Sequence, residues 1–148
     1  MLTCKTYEID ENSPKPMEWD KYEQRLNQEW RRFLESEPTE AEVQTFLEKH
    51  PCLIPGAFNM GIKSGHLPFP HAVISQPRLQ GVGARQPDFM WLGTNSMEFV
   101  PVLIEIEKPS KRWFNASGIP SSDFVQAQNQ LAQWKSWFGD ETNRMLFY

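Results

Sequence analysis

Only two cysteines occur in the 148 residues, Cys4 and Cys52, and they lie far apart in the chain. Free thiols in a reducing compartment are the expectation, and without further ligands they make no zinc site. No apolar run approaches the roughly eighteen residues of a membrane span, so a soluble chain is expected. Behind Met1-Leu2-Thr3-Cys4-Lys5 there is no apolar stretch, which excludes a secretory signal and leaves a cytoplasmic location as the default. Gly81-Val82-Gly83 lacks phosphate-loop spacing, and His50, His66 and His71 have no metal-ligand spacing and are assigned no role. There is no internal repeat and no low-complexity tract. Nor is there an excess of positive charge: 15 Lys and Arg stand against 19 Asp and Glu, a net charge of −4. That balance argues against nonspecific coating of nucleic acid, because backbone affinity rests on cations displacing counterions.

What is present is material for one core. Hydrophobic residues make up 39%, with six Trp and ten Phe, enough for a single domain of ordinary size. Residues 1–37 read as an N-terminal polar segment followed by an amphipathic helix, in which Trp19, Tyr22, Leu26, Trp30, Phe33 and Leu34 recur at spacings of three and four. Pro38 ends it. From 38 to 148 a domain follows. Thr39 and Glu42 make a capping box for a second helix that buries Val43, Phe46 and Leu47 and closes at His50-Pro51. Residues 52–70 show no period and read as a long connection. His71–Gln76 reads as a strand, Pro87–Gly93 as a second, and Phe99–Glu107 as a third, with Gly93-Thr94-Asn95-Ser96 as hairpin turn chemistry between the last two. Ser121 or Ser122 caps a further helix lined by Phe124, Ala127, Leu131, Trp134 and Phe138, and Gly139 terminates it. Arg144–Tyr148 reads as a last strand.

The most informative residues are three carboxylates: Asp88 in Pro87-Asp88, and the pair in Glu105-Ile106-Glu107-Lys108. Magnesium takes oxygen ligands, and phosphodiester hydrolysis calls for a hard cation that activates water and steadies the added negative charge. Period-two geometry places Glu105 and Glu107 on one strand face with Leu103, while Val102, Ile104 and Ile106 face the other way. An antiparallel hairpin sets Asp88 opposite the Glu105 region. The competing reading is a solvated strand end whose charges reach water. Against it, an unpaired charge beside Phe89, Met90 and Trp91 would be costly to bury. Lys108, Lys111 and Arg112 form a basic cluster placed for phosphates, or an ordinary solvated loop. Trp113-Phe114 is read as packing under that loop, with contact to bases or a neighbouring subunit as the alternative.

Four ordered stretches resemble the nuclease domain of the Shedu family of bacterial anti-phage defence proteins, a branch of the PD-(D/E)xK restriction-endonuclease-like superfamily. They are Glu40–Pro51, with its early Glu, Gln44 and closing proline; Arg85-Gln86-Pro87-Asp88-Phe89; Leu103–Pro109; and the glutamine-bearing run Gln126–Trp134. The resemblance runs from Thr39 to Tyr148. It implies an α/β fold with a restriction-endonuclease-like core, a central mixed β-sheet flanked by α-helices. It further implies a metal-dependent DNA endonuclease using magnesium or manganese, no membrane partner, and self-assembly into a homo-oligomer. By resemblance, Asp88 and Glu105 are the metal ligands, joined by the backbone carbonyl of Ile106. Where the superfamily usually carries Lys, this chain has Glu107, which would ligate a second ion or take the water's proton.

Lys108 would replace the usual Lys only through a bulge. Gln130 would turn toward the carboxylates to hold phosphate or water, its alternative being a glutamine-rich solvent face. Glu40 sits in the first turn of its helix, where it favours the dipole whether or not it assists the site. Glu107 also keeps a second function in play, a nuclease-fold module without chemistry that binds nucleic acid or protein partners. A two-carboxylate glycosidase fits worse, since a sugar cleft asks for a larger chain.

Overall fold

The computed structural model describes residues 15, 17–55, 69–94 and 99–147. Cys4, His66, the hairpin turn at 95–98 and most of the 52–70 connection lie outside these residues. Helix α1 spans Trp19–Glu35. It turns its buried Leu26 and its Trp30 and Phe33 inward, while Trp19 stays exposed at its first turn. Helix α2, Glu40–Lys49, starts on the expected capping box: the Thr39 N–H donates to Glu42 Oε2 at 2.8 Å, and the Glu42 N–H donates to Thr39 Oγ1 at 3.4 Å. The Thr39 N–H and the Thr39 hydroxyl, both donating to Glu42 Oε2, hold that carboxyl below the usual range. Phe33 stacks on Phe46 with ring centres 4.6 Å apart, which joins α1 to α2. Pro51 forbids a further α-turn, and a short 3-10 turn at Pro51–Leu53 follows. No described helix is long and apolar enough to cross a membrane.

Strands β1 (Phe69–Ser75), β2 (Phe89–Thr94) and β3 (Phe99–Ile104) form an antiparallel sheet in the order β1-β2-β3. The expected mixed sheet is therefore corrected. Among the described residues every pairing is antiparallel, because the last element returns as a helix and supplies no parallel strand. The third strand also stops at Ile104, short of the expected Glu107, where the chain leaves β2. Side-chain alternation splits the core into two layers. Phe89, only 1% exposed, packs with Val43, Leu47 and Ile54, and Trp91, Ile104 and Ile106 lie against that group. Met90 packs on the other face with Leu79, Trp134 and Trp137, joined by Leu92 and Leu103. A central strand with helices over both faces must be apolar on both, and Phe89-Met90-Trp91-Leu92 is.

Helix α3, Ser122–Gly139, is capped by Ser121, whose Oγ accepts from the Phe124 N–H at 3.1 Å. Its buried face is Trp134 and Trp137, while Leu131, placed by periodicity in the apolar stripe, is exposed. The expected strand at the C-terminal end is a helix, α4, Glu141–Phe147. Asp140 starts it by accepting from the Asn143 N–H at 2.9 Å. The buried Asn143 then pins α4 to the β1–β2 connection: it accepts from the Val82 N–H at 2.7 Å and donates to the carbonyls of Val82 and Trp137 at 3.2 and 3.1 Å. That connection passes so close that a Cβ on Gly81 would stand 2.2 Å from Asn143 Oδ1, at a φ of +152°.

Candidate functional site

Two strand ends and two helices build an acidic cleft. The β2–β3 register pairs Phe89 with Ile104, so one step further Asp88 stands opposite Glu105. Glu105, the residue after β3, turns to the α3 side of the sheet, where Leu103 also points. Asp88 Oδ2 accepts from the Ile106 N–H at 2.7 Å, which fixes one carboxylate oxygen across the strand ends. Its carbonyl accepts from the Gln76 N–H at 2.8 Å, tying it to the end of β1 as well. Glu105 Oε1 accepts from Trp134 Nε1 at 2.6 Å, so α3 holds the second carboxylate. Asp88, Glu105 and Ile106 line one cleft of about 560 Å³ with Gln130 from α3 and Glu40, Gln44 and Glu48 from α2. That volume is in the range of about 300–1,000 Å³ common for ligand sites.

The electrostatics favour a cation. Burial pushes the Glu105 carboxyl up to about 7; the Trp134 bond opposes the rise, and the charges of Asp88, Glu107 and Glu40 add to it. Burial likewise raises Asp88, with the Ile106 N–H opposing and Glu107 adding. Among the described residues neither carboxylate has a cationic partner. Two half-buried like charges with none are costly unless protonated or neutralised from outside.

Gln44 of the same cleft is 7% exposed. Its Nε2 donates to Ser75 Oγ at 2.9 Å and to the Asp88 carbonyl at 3.2 Å, while its Oε1 is buried with no hydrogen-bond partner. That oxygen is sealed from solvent, an unmet acceptor within the wall of the cleft rather than a group open to it. Asp88 and Glu105, with the Ile106 carbonyl, are the oxygen groups that would hold a magnesium or manganese ion here. No group of three or more His, Cys, Asp and Glu side chains able to hold a metal exists among the described residues.

The remaining sequence-derived candidates separate into two places. Gln130 and Glu40 line the acidic cleft. Glu107, Lys108, Lys111 and Arg112 line a neighbouring pocket with Trp113 and Phe124. The Glu107 carboxylate is held by Lys111 Nζ at 2.5 Å, and the same ammonium lies 3.8 Å from Glu40 Oε1. The hydrogen bond to Glu107 holds the Lys111 ammonium above its ordinary range. Lys111 therefore stands between pocket and cleft.

Two contributors escaped the sequence reading. Trp134 was expected as core and also donates to Glu105. Gln44 was visible within the α2 motif, yet its bond to the Asp88 backbone spans 44 residues and no local signal carries it. His50, assigned no function, bonds Tyr22 Oη through Nδ1 at 3.1 Å and belongs to the α1–α2 packing. Cys52 is an exposed free thiol.

Residues 36–148 match the family described as Shedu protein SduA, C-terminal. The match covers most of the chain, which belongs to that family. No curated protein and no solved structure matches it.

Proposed function

From membership of the Shedu family, we propose that this chain carries a divalent-metal-dependent endonuclease domain that hydrolyses DNA phosphodiester bonds in bacterial anti-phage defence. The observation that supports it most is the pairing of Asp88 with Glu105, two half-buried carboxylates that line one cleft without a protein cation. A bound magnesium or manganese ion would supply a Lewis acid and a more acidic water.

The chain's own groups do the rest. Asp88 and Glu105 present oxygen atoms held from behind by the Ile106 N–H and Trp134 Nε1, so little reorganisation is needed when the ion arrives. Gln44 anchors the Asp88 backbone from α2. Gln130 lies in the cleft wall as a donor for a phosphate oxygen. Lys111, presented by Glu107 and Glu40, offers positive charge at the rim, where an incoming phosphodiester is anionic. Glu107 therefore acts in this reading as the holder of a lysine. The restriction-endonuclease-like core belongs to the same proposal, and the paired strand ends are what support it.

Titration calorimetry with manganese and cleavage of supercoiled plasmid test the reading together. Glu105→Ala is expected to abolish cutting and weaken manganese binding while the fold survives. Retained cutting by Glu105→Ala would remove Glu105 from the site, and a native chain that neither binds manganese nor cuts would instead favour a non-cutting module that keeps the fold.

A further inference from the structure

We propose that the loop between β3 and α3 carries a binding site for an unpaired nucleobase of the DNA strand, beside the acidic cleft. The substrate class rests on the nuclease reading above. The site itself rests on the loop.

The loop is a built structure. Asn115 Oδ1 accepts from the N–H groups of Ser117 and Ile119 at 2.9 and 3.0 Å, and the Asn115 N–H donates to the Ile119 carbonyl at 2.9 Å. Phe114 faces Pro120 across a β-bridge, the Ser121 N–H donates to the Trp113 carbonyl at 2.9 Å, and Ser121 Oγ donates to the Arg112 carbonyl. Gly118, at a φ of +75°, allows the return. Packing under the loop was the sequence expectation for Trp113 and Phe114, and the structure corrects it. Their rings lie 5.1 and 5.6 Å from Phe124, yet they remain 58% and 54% exposed. Backbone bonds therefore hold two aromatic rings out to solvent, and ring faces already fixed lose little freedom on binding.

Trp113, Phe124 and Ala127 supply apolar walls to the pocket, and Lys108, Lys111 and Arg112 stand around it against Glu107 and Asp123. The chain as a whole carries −4, whereas here three cations stand against Glu107, Asp123 and the nearby Glu40, so cations are locally dense. Aromatic faces within a cationic fringe hold a base by stacking and its phosphates by charge. A base within a duplex has both faces covered by its neighbours, so the occupant is an unpaired one, at a frayed end, a gap or a flap. Lys111 borders both this pocket and Glu40 of the acidic cleft. A strand with one base seated on Trp113 would bring an adjacent phosphate toward Asp88 and Glu105.

The test uses the full chain in EDTA and a single-stranded oligodeoxynucleotide carrying one 2-aminopurine, compared with a blunt duplex of the same sequence. Native protein is expected to bind the single strand and quench the 2-aminopurine. Trp113→Ala should weaken that binding by at least about fivefold and abolish the quenching, while Trp113→Phe restores most of both. Duplex binding should be insensitive to either change. Equal affinity and equal quenching in native and Trp113→Ala proteins would overturn the proposal. So would a Trp113→Ala protein whose sole change is a smaller sedimentation coefficient, since a second copy would then be the occupant. Because no metal is present, the assay is blind to cleavage, and the base site and the nuclease reading fail independently.

Discussion

Replacing Glu105 by Gln should make the metal-free protein more stable while destroying its metal site. The Glu105 carboxyl lies near 7 in the folded chain, against an ordinary value of 4.5. Below pH 4.5 it is protonated in folded and unfolded chains alike and costs nothing. Between 4.5 and 7 the unfolded chain releases a proton that the folded one retains, so stability falls as pH rises, and above 7 the loss is complete. At about 1.36 kcal/mol per pH unit the ceiling is roughly 3.4 kcal/mol, and solvent screening of this half-exposed group reduces that to about 1–2 kcal/mol. Gln keeps an oxygen to accept from Trp134 Nε1 and carries no charge, so it escapes the penalty. In EDTA the variant should match native protein at pH 4.5 or below and exceed it at pH 8 by roughly 3–6 °C in Tm. Magnesium should then reverse the order at pH 8 by stabilising the native chain alone. A variant whose advantage does not grow between pH 4.5 and pH 8 would show that burial and the charges of Asp88, Glu107 and Glu40 put no strain on Glu105, and the electrostatic case for a cation would go with it.

Gln44→Leu removes the donor to Ser75 Oγ and to the Asp88 carbonyl; it should cost about 1–3 kcal/mol in urea unfolding and weaken manganese binding in calorimetry, and a variant with native affinity would strip Gln44 of its part in the site. Gly81→Ala drives a Cβ to 2.2 Å from Asn143 Oδ1 and should lower stability by about 2–4 kcal/mol, read from thermal melts; Gly81→Ala in an Asn143→Ala background should cost clearly less than Gly81→Ala alone, and full additivity would contradict the contact. The basic rim yields one more expectation: Lys111→Ala should reduce plasmid cutting without lowering manganese affinity, because its ammonium pairs with Glu107 and Glu40 and with neither Asp88 nor Glu105.

Local chemistry was readable from the chain wherever its cause lay within a few residues. The Thr39 and Glu42 capping box, the Ser121 cap and the alternation that puts Leu103 and Ile104 on opposite faces all depend on near neighbours, and all hold in the fold. The failures have a common origin. Arg144–Tyr148 has the apolar content of a strand, but Asp140 and the buried Asn143 give that segment a helix start and a contact 61 residues away. Trp113 and Phe114 have core composition and stay exposed because the Asn115 turn holds them outward.

Residue type and spacing by themselves determined that Asp88 and Glu105 would come together from two strand ends, since the parity of a strand is set by the backbone. The partners of those carboxylates were decided in three dimensions. Trp134 reaches Glu105 from α3, Gln44 reaches the Asp88 backbone from α2, and Lys111 takes Glu107 out of the acidic cleft. Such pairings depend on which helix covers which face of the sheet, and that choice follows from filling two apolar layers at once, a property of the whole packed chain that no single segment contains.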